Sequence, residues 1–162
     1  MNLNFTALFL SIILICPAAL AGEAEVVALL SARHTQDAVS LKELEELAGG
    51  QDSLIETLLK HRRAERPPFV GIRAERLLLN YSDREEVISA LESDINDTKY
   101  FGLARTIGTH IDTVKANQAR TRLATAVLRR AQTESRFRMF GKMLLESSDS
   151  NVKRLAREAE LE

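Results

Sequence analysis

An all-α chain, a short α-solenoid of stacked antiparallel helix pairs, is the fold this sequence predicts, and three observations predict it. Aromatic residues make up 5% of the 162 residues, with no Trp and three Pro, a composition that favours helices over a β-sandwich or barrel. The stretch 97–131 carries two consecutive helical patterns without proline; in the first, Tyr100, Leu103, Ala104, Ile107 and Ile111 lay one apolar stripe along a 3.6-residue helix. The third observation is a repeated spacing: a large apolar residue, a small one four later, and an apolar one three after that. It occurs at Val70, Ala74 and Leu77, at Tyr100, Ala104 and Ile107, at Phe137, Gly141 and Leu144, and at Val152, Ala156 and Ala159. A chain of this length forms one domain that buries roughly two thirds of its unfolded surface.

The first 21 residues differ in kind. Leu3 to Leu20 carries no charged side chain, and Ala19-Leu20-Ala21 places small residues where a signal peptidase requires them. Residues 1–21 therefore read as a secretory signal cleaved before Gly22, giving a secreted or periplasmic protein. Because the segment lacks Lys and Arg and its apolar span approaches the ~20 residues a bilayer requires, a membrane anchor formed by residues 3–21 is the alternative. Cys16 is the only cysteine, so the mature chain would hold no disulfide and no thiol ligand.

Beyond the leader, residues 22–63 read as N-terminal capping helices and residues 64–162 as the repeat domain. Glu23 to Arg33 offers a first short helix with Val26, Val27, Leu29 and Leu30 inward. Ser40-Leu41-Lys42-Glu43 has the pattern of a capping box, in which the hydroxyl accepts from the first turn and the glutamate reaches back. Gly49-Gly50 stops that helix. Ser53 to Glu56 and Ser82 to Glu85 repeat the box pattern, and Arg66-Pro67-Pro68 ends one helix and opens the next. Later helices are expected at about 68–80, 84–94, 97–111, 113–131, 134–146 and 150–160, joined by short connections that imply antiparallel neighbours.

The last copy of the repeated spacing, Asp149 to Ala159, resembles the HEAT-repeat consensus. There an aspartate precedes a valine, a basic residue and a helix bearing a small residue, here Val152, Lys153 and Ala156. Over Arg66 to Glu160 the resemblance implies stacked helix pairs that bind another macromolecule along a concave or edge surface. Successive starts at Val70, Tyr100, Phe137 and Val152 are unevenly spaced, so armadillo-like stacking or an irregular bundle fits the same pattern. A few HEAT-like proteins are enzymes, which keeps a cofactor-handling or lyase-type activity, or a purely structural oligomerising role, as alternatives.

Charge comes in blocks. Residues 80–98 hold 1 basic against 6 acidic side chains, and residues 99–145 hold 10 against 2. In the basic block Lys115, Arg122 and Arg129 recur every seven residues, with Arg130 beside them, and Arg136, Arg138 and Lys142 extend the patch from the next helix. One reading is a solvated face answered by neighbouring acids. The other is a binding surface, since arginine offers a planar fork to carboxylates and phosphates; its partner after export is a protein or an anionic envelope component. Nucleic acid fits the charge but neither the leader nor the lack of interleaved aromatics. Membrane contact is expected only if the leader stays uncleaved. His34, His61 and His110 are too scattered for a metal motif, and no HExxH, GxSxG or phosphate-loop pattern occurs. No catalytic residue, metal or cofactor is therefore expected. Gly71, Gly102 and Gly141 are read as close helix crossings, and Phe101, Phe140, Met139 and Met143 as core.

Overall fold

A computed structural model describes residues 17–32, 40–65, 69–97 and 101–160, with side chains from Gly22 onward. The expectations for residues 1–16, including Cys16, and those for His34, Pro67, Pro68 and Tyr100 lie outside the described residues. All regular structure among the described residues is helical. The helices are α1 (Pro17–Ser31), α2 (Leu41–Ala48), α3 (Gln51–His61), α4 (Val70–Leu78), α5 (Glu85–Asn96), α6 (Phe101–His110), α7 (Asn117–Thr133), α8 (Arg138–Met143) and α9 (Ser150–Glu158). The expected cleavage point before Gly22 falls inside α1.

Local chemistry sets several boundaries. At α2 the Ser40 capping box is complete: Glu43 N–H donates to Ser40 Oγ at 3.2 Å, and Ser40 N–H donates to Glu43 Oε2 at 2.7 Å. Gly49 ends the helix with φ at +84°, a left-handed conformation that suits glycine. Asp149 caps α9, its Oδ1 accepting from Asn151 N–H at 2.8 Å and Val152 N–H at 3.1 Å.

Two expected boxes are absent. Ser53 lies within α3, because Gly50 carbonyl already accepts from Leu54 N–H at 3.0 Å and starts the helix earlier. Helix α5 starts after Arg84 with no side-chain cap. The Ser82 hydroxyl instead turns to a distant loop, accepting from Lys115 N–H at 3.2 Å and Ala116 N–H at 3.4 Å. Two amides that precede α7 thus take the acceptor that local spacing had assigned to α5.

Packing beyond α3 follows alternate helices. Helix α4 lies against α6 and α6 against α8; in parallel, α5 lies against α7 and α7 against α9. Helix α7 also packs against α6 and α8, joining the two rows. At the other end α1, α2 and α3 pack on one another, and α1 and α3 contact α4. One apolar cluster runs through all of this, from Val26 in α1 to Val152 and Ala156 in α9.

The repeated spacing occupies this core. Val70, Ala74, Ala104, Ile107, Phe137, Gly141, Leu144, Val152 and Ala156 are buried, while Leu77 and Ala159 pack at its margin. The expected glycine crossings divide. Gly71 does lie close to backbone, but to that of the segment after α3 and not of a crossing helix, since a Cβ there would meet Ala64 O at 2.8 Å and Arg62 O at 2.9 Å; Gly102 has no neighbour within 4 Å of that position. Gly108 supplies a crossing the spacing did not flag, since a Cβ there would lie 2.9 Å from Phe140 O where α6 meets α8.

Candidate functional site

The seven cations read from the sequence do not form one surface. Helix α7 turns Leu123, Ala124, Val127 and Leu128 into the core, so its polar side faces out, but the cations there meet different fates. Arg122 is answered by the acidic helix α5: Nη1 donates to Glu85 Oε2 at 2.7 Å and Nη2 to Glu92 Oε2 at 2.6 Å. Arg130 turns inward and is 6% exposed. Its Nη1 donates to the carbonyls of Ile95 and Asp97, and its guanidinium lies 4.2 Å from the Phe137 ring centroid. Its Nη2 is 2.9 Å from Glu134 Oε1, but off the hydrogen-bond direction. Arg136 pairs with the other Glu134 oxygen at 3.0 Å. Arg129 is exposed on α7, and Lys115 is exposed just before it. Arg138 and Lys142 are exposed on α8, in the other row.

That other row carries a different surface. Phe69, Ile72, Phe101 and Met139 are 49%, 55%, 51% and 58% exposed, and they stand on or beside α4, α6 and α8. Phe101 and Met139 are thus outside the core to which the sequence reading assigned them. Phe101 stacks on the buried Phe140 of α8, with centroids 6.5 Å apart and ring planes 9° apart. The exposed positions of the same helices also include Arg76 on α4, Arg105 on α6, and Arg138 and Lys142 on α8. Helices α6 and α8 contain no carboxylate, and Glu75, the one in α4, is buried.

The spacing of the exposed positions explains why they align. On α6, Phe101, Arg105 and Thr109 recur every fourth residue; on α4, Ile72 and Arg76 do so. Each helix therefore keeps one stripe in solvent while burying the opposite one. Arg76 reaches the neighbouring helix: its charge, added to burial as the larger cause, holds the His110 imidazole below its ordinary pKa. The companion row differs. Exposed positions of α5 are Glu85, Glu86, Ser89, Ser93 and Asn96, and none of the exposed large apolar residues lies on α5, α7 or α9.

A cavity of about 380 Å³ opens between α2, the Leu79–Tyr81 turn and Lys115. Within it Tyr81 O–H donates to Glu45 Oε1 at 2.8 Å, and burial followed by that carboxylate raises the phenol pKa. The phenol stays neutral. Lys115 shares the lining with Asp83 and Glu45. A smaller cavity of about 230 Å³ sits where the ends of α6 and α8 meet, near Asp112, Met143 and Ser147. Asp112 is engaged there by Ser148 N–H at 2.7 Å and by the Ser147 hydroxyl.

Deeper in the fold, the fully buried Asp94 of α5 accepts from Arg62 Nε at 2.7 Å and from Arg63 Nε. Glu75 lies beside this group, and its pKa is pushed up to about 8, by burial first and the Asp94 charge second. The sequence reading missed Arg76, Arg105, Ile72, Phe101 and Met139 as surface partners. Their signal was an apolar residue followed by a cation four later on α4 and α6 and three later on α8, helices that lack exposed acids, a pattern hidden by counting charge along the chain. No family model matches the sequence, and no curated protein or solved structure matches it.

Proposed function

We propose that this chain is a non-enzymatic, exported helical-repeat module of HEAT-like α-solenoid type that binds an anionic partner of the cell envelope. The observation that carries the proposal is the surface of α4, α6 and α8, where Arg76, Arg105 and Lys142 stand exposed among half-exposed apolar side chains with no exposed carboxylate on the three helices. None of these three cations makes an ion pair among the described residues. An anionic partner would supply the missing counter-charges. The alternate-helix packing supports the solenoid reading, since stacked repeats place each helix against the second one along. The uncharged segment from Leu3 to Leu20 supports export.

The test is co-sedimentation of the purified full chain with the native envelope fraction. Wild type should sediment at 0.1 M salt and be released at high salt, because exposed charges are screened beyond about 10 Å at 0.1 M and beyond about 3 Å at 1 M. The variant R76E/R105E/K142E should remain in the supernatant with an unchanged helical circular-dichroism spectrum. Equal sedimentation of the two proteins would reject this surface as the binding face. Lys115 and Arg129, exposed on the α7 side, are the matching control: reversing them should leave sedimentation as it was.

A further inference from the structure

Resting on that reading, we infer that the face of α4, α6 and α8 seats directly on the headgroup region of an anionic phospholipid bilayer. The argument starts from how its residues are distributed. Phe69 and Ile72, Phe101, and Met139 are spread over three neighbouring helices, and Arg76, Arg105 and Lys142 stand among them. A protein interface gathers its apolar contacts in a central core from which charge is depleted. Here cation and apolar side chain alternate on the same stripe, so a protein partner would have to bury guanidinium groups beside each apolar contact. A bilayer surface imposes no such cost. Apolar side chains enter the boundary between headgroups and acyl chains, while adjacent cations remain at the level of the phosphates.

Shape and charge agree with that partner. The outward stripe of α6 has open space beside Gly102, where no atom comes within 4 Å of a Cβ position. The stacking of Phe101 on Phe140 and the close contact of Gly108 with Phe140 hold α6 and α8 at a fixed separation. Phe101 and Met139 are therefore presented from adjoining helices. The row of α5, α7 and α9 exposes Glu85, Glu86 and Glu158 together with Arg129, Arg154 and Arg157, a surface of mixed charge without an exposed large apolar side chain. The two rows are thus unlike: apolar side chains stand exposed on only one of them, and that one has no exposed carboxylate to repel an anionic surface.

The test uses vesicles of equal parts phosphatidylglycerol and phosphatidylcholine against vesicles of phosphatidylcholine alone, with the protein expressed with its leader and purified after export and cleavage, so that the apolar residues 3–20 do not themselves enter either vesicle. Wild type should bind the anionic vesicles more tightly, and salt should weaken that preference. At about a fivefold gain in partitioning per cation, R76Q/R105Q/K142Q should lose on the order of a hundredfold in affinity for anionic vesicles. The chain has no Trp, so a single introduced one reports its own site. Emission of M139W should move to shorter wavelength on anionic vesicles, whereas that of S93W, on α5, should not. Equal binding by wild type and the triple-Gln variant, or equal shifts for M139W and S93W, would overturn the inference and assign vesicle association to another part of the chain. Binding to native envelopes that protease treatment abolishes, without binding to anionic vesicles, would overturn the lipid while keeping the binding face and naming an acidic protein as partner. Failure to bind either would remove both readings.

Discussion

Glu75 is a carboxyl placed where its charge is poorly tolerated. It is 3% exposed, and the Arg62 and Arg63 side chains that would stabilise its anion are engaged by Asp94. Its pKa is accordingly pushed up to about 8 from an ordinary value of 4.5, chiefly by burial and then by the Asp94 charge, with the two arginines pulling the other way. The folded state binds this proton more tightly than the unfolded chain, so its contribution to stability is fullest below about pH 4.5 and is lost as pH rises toward 8. Replacement by the neutral isostere removes that dependence. In urea melts, E75Q should match wild type near pH 5 and exceed it near pH 9; a lower midpoint for E75Q near pH 9 would show that the ionised carboxylate shares the two arginines favourably. Arg129 and Arg130 make a related point about legibility. Adjacent residues on a helix point about 100° apart, so one remains in solvent while the other enters the core to cap the end of α5. A run of like charge in a sequence does not reveal which member turns inward, because that depends on carbonyls left unpaired by a distant helix end.

Single helices were more legible than single side chains, because each one's periodicity and end chemistry are local. The expected spans at 84–94, 113–131 and 150–160 differ from α5, α7 and α9 by a few residues, and the Ser40 capping box forms as its sequence indicates. The Ser82 box failed because its hydroxyl was claimed from afar, by the loop before α7, whereas the pairing of Arg122 with Glu85 and Glu92 matches the reading of a solvated face answered by neighbouring acids. Glycine shows the same division. Gly102 and Gly108 lie on one helix, yet a Cβ at Gly102 meets nothing within 4 Å while one at Gly108 would sit 2.9 Å from the Phe140 carbonyl. The Gly102→Ala change should therefore stabilise by about 0.5–1 kcal/mol through helix propensity and the unfolded chain. The Gly108→Ala change should destabilise by roughly 1–3 kcal/mol, since α6 and α8 must separate to admit the methyl group. Denaturation midpoints decide this; the same sign for both would mean that α6 and α8 have room for a methyl group at their crossing.

At the scale of the whole molecule, the all-α class followed from composition and a repeated spacing, because both summarise what many residues do at once. The surface of α4, α6 and α8 did not, because it is assembled from stripes roughly thirty to forty residues apart in sequence and appears only when alternate helices lie side by side. The N-terminal segment bears on how the proposed binding face would reach a partner. Helix α1 runs through the expected cleavage point, and its residues after that point are secured by the fold: Gly22 is buried against Leu47 and Ala48, Glu23 accepts from Lys60 at 2.7 Å and lies 2.8 Å from His61 Nε2, and Val26 and Leu30 enter the core. Hydrogen bonds from Lys60 and His61 hold the Glu23 carboxyl below the ordinary carboxylate range. Cutting after Ala21 would leave every one of these contacts in place, whereas a cut a few residues later would remove the Glu23 cluster. Export with cleavage before Gly22 therefore predicts that protein from the native envelope begins at Gly22 on N-terminal sequencing. It also predicts that a chain beginning at Gly22 unfolds at the same urea midpoint as the full chain, while one beginning at Ala24 unfolds earlier, by roughly 1–2 kcal/mol for the lost charged hydrogen bonds. Recovery of an intact Met1 form held in the membrane would replace export by anchoring through residues 3–21, and the face of α4, α6 and α8 would then act on a chain already tethered to the bilayer.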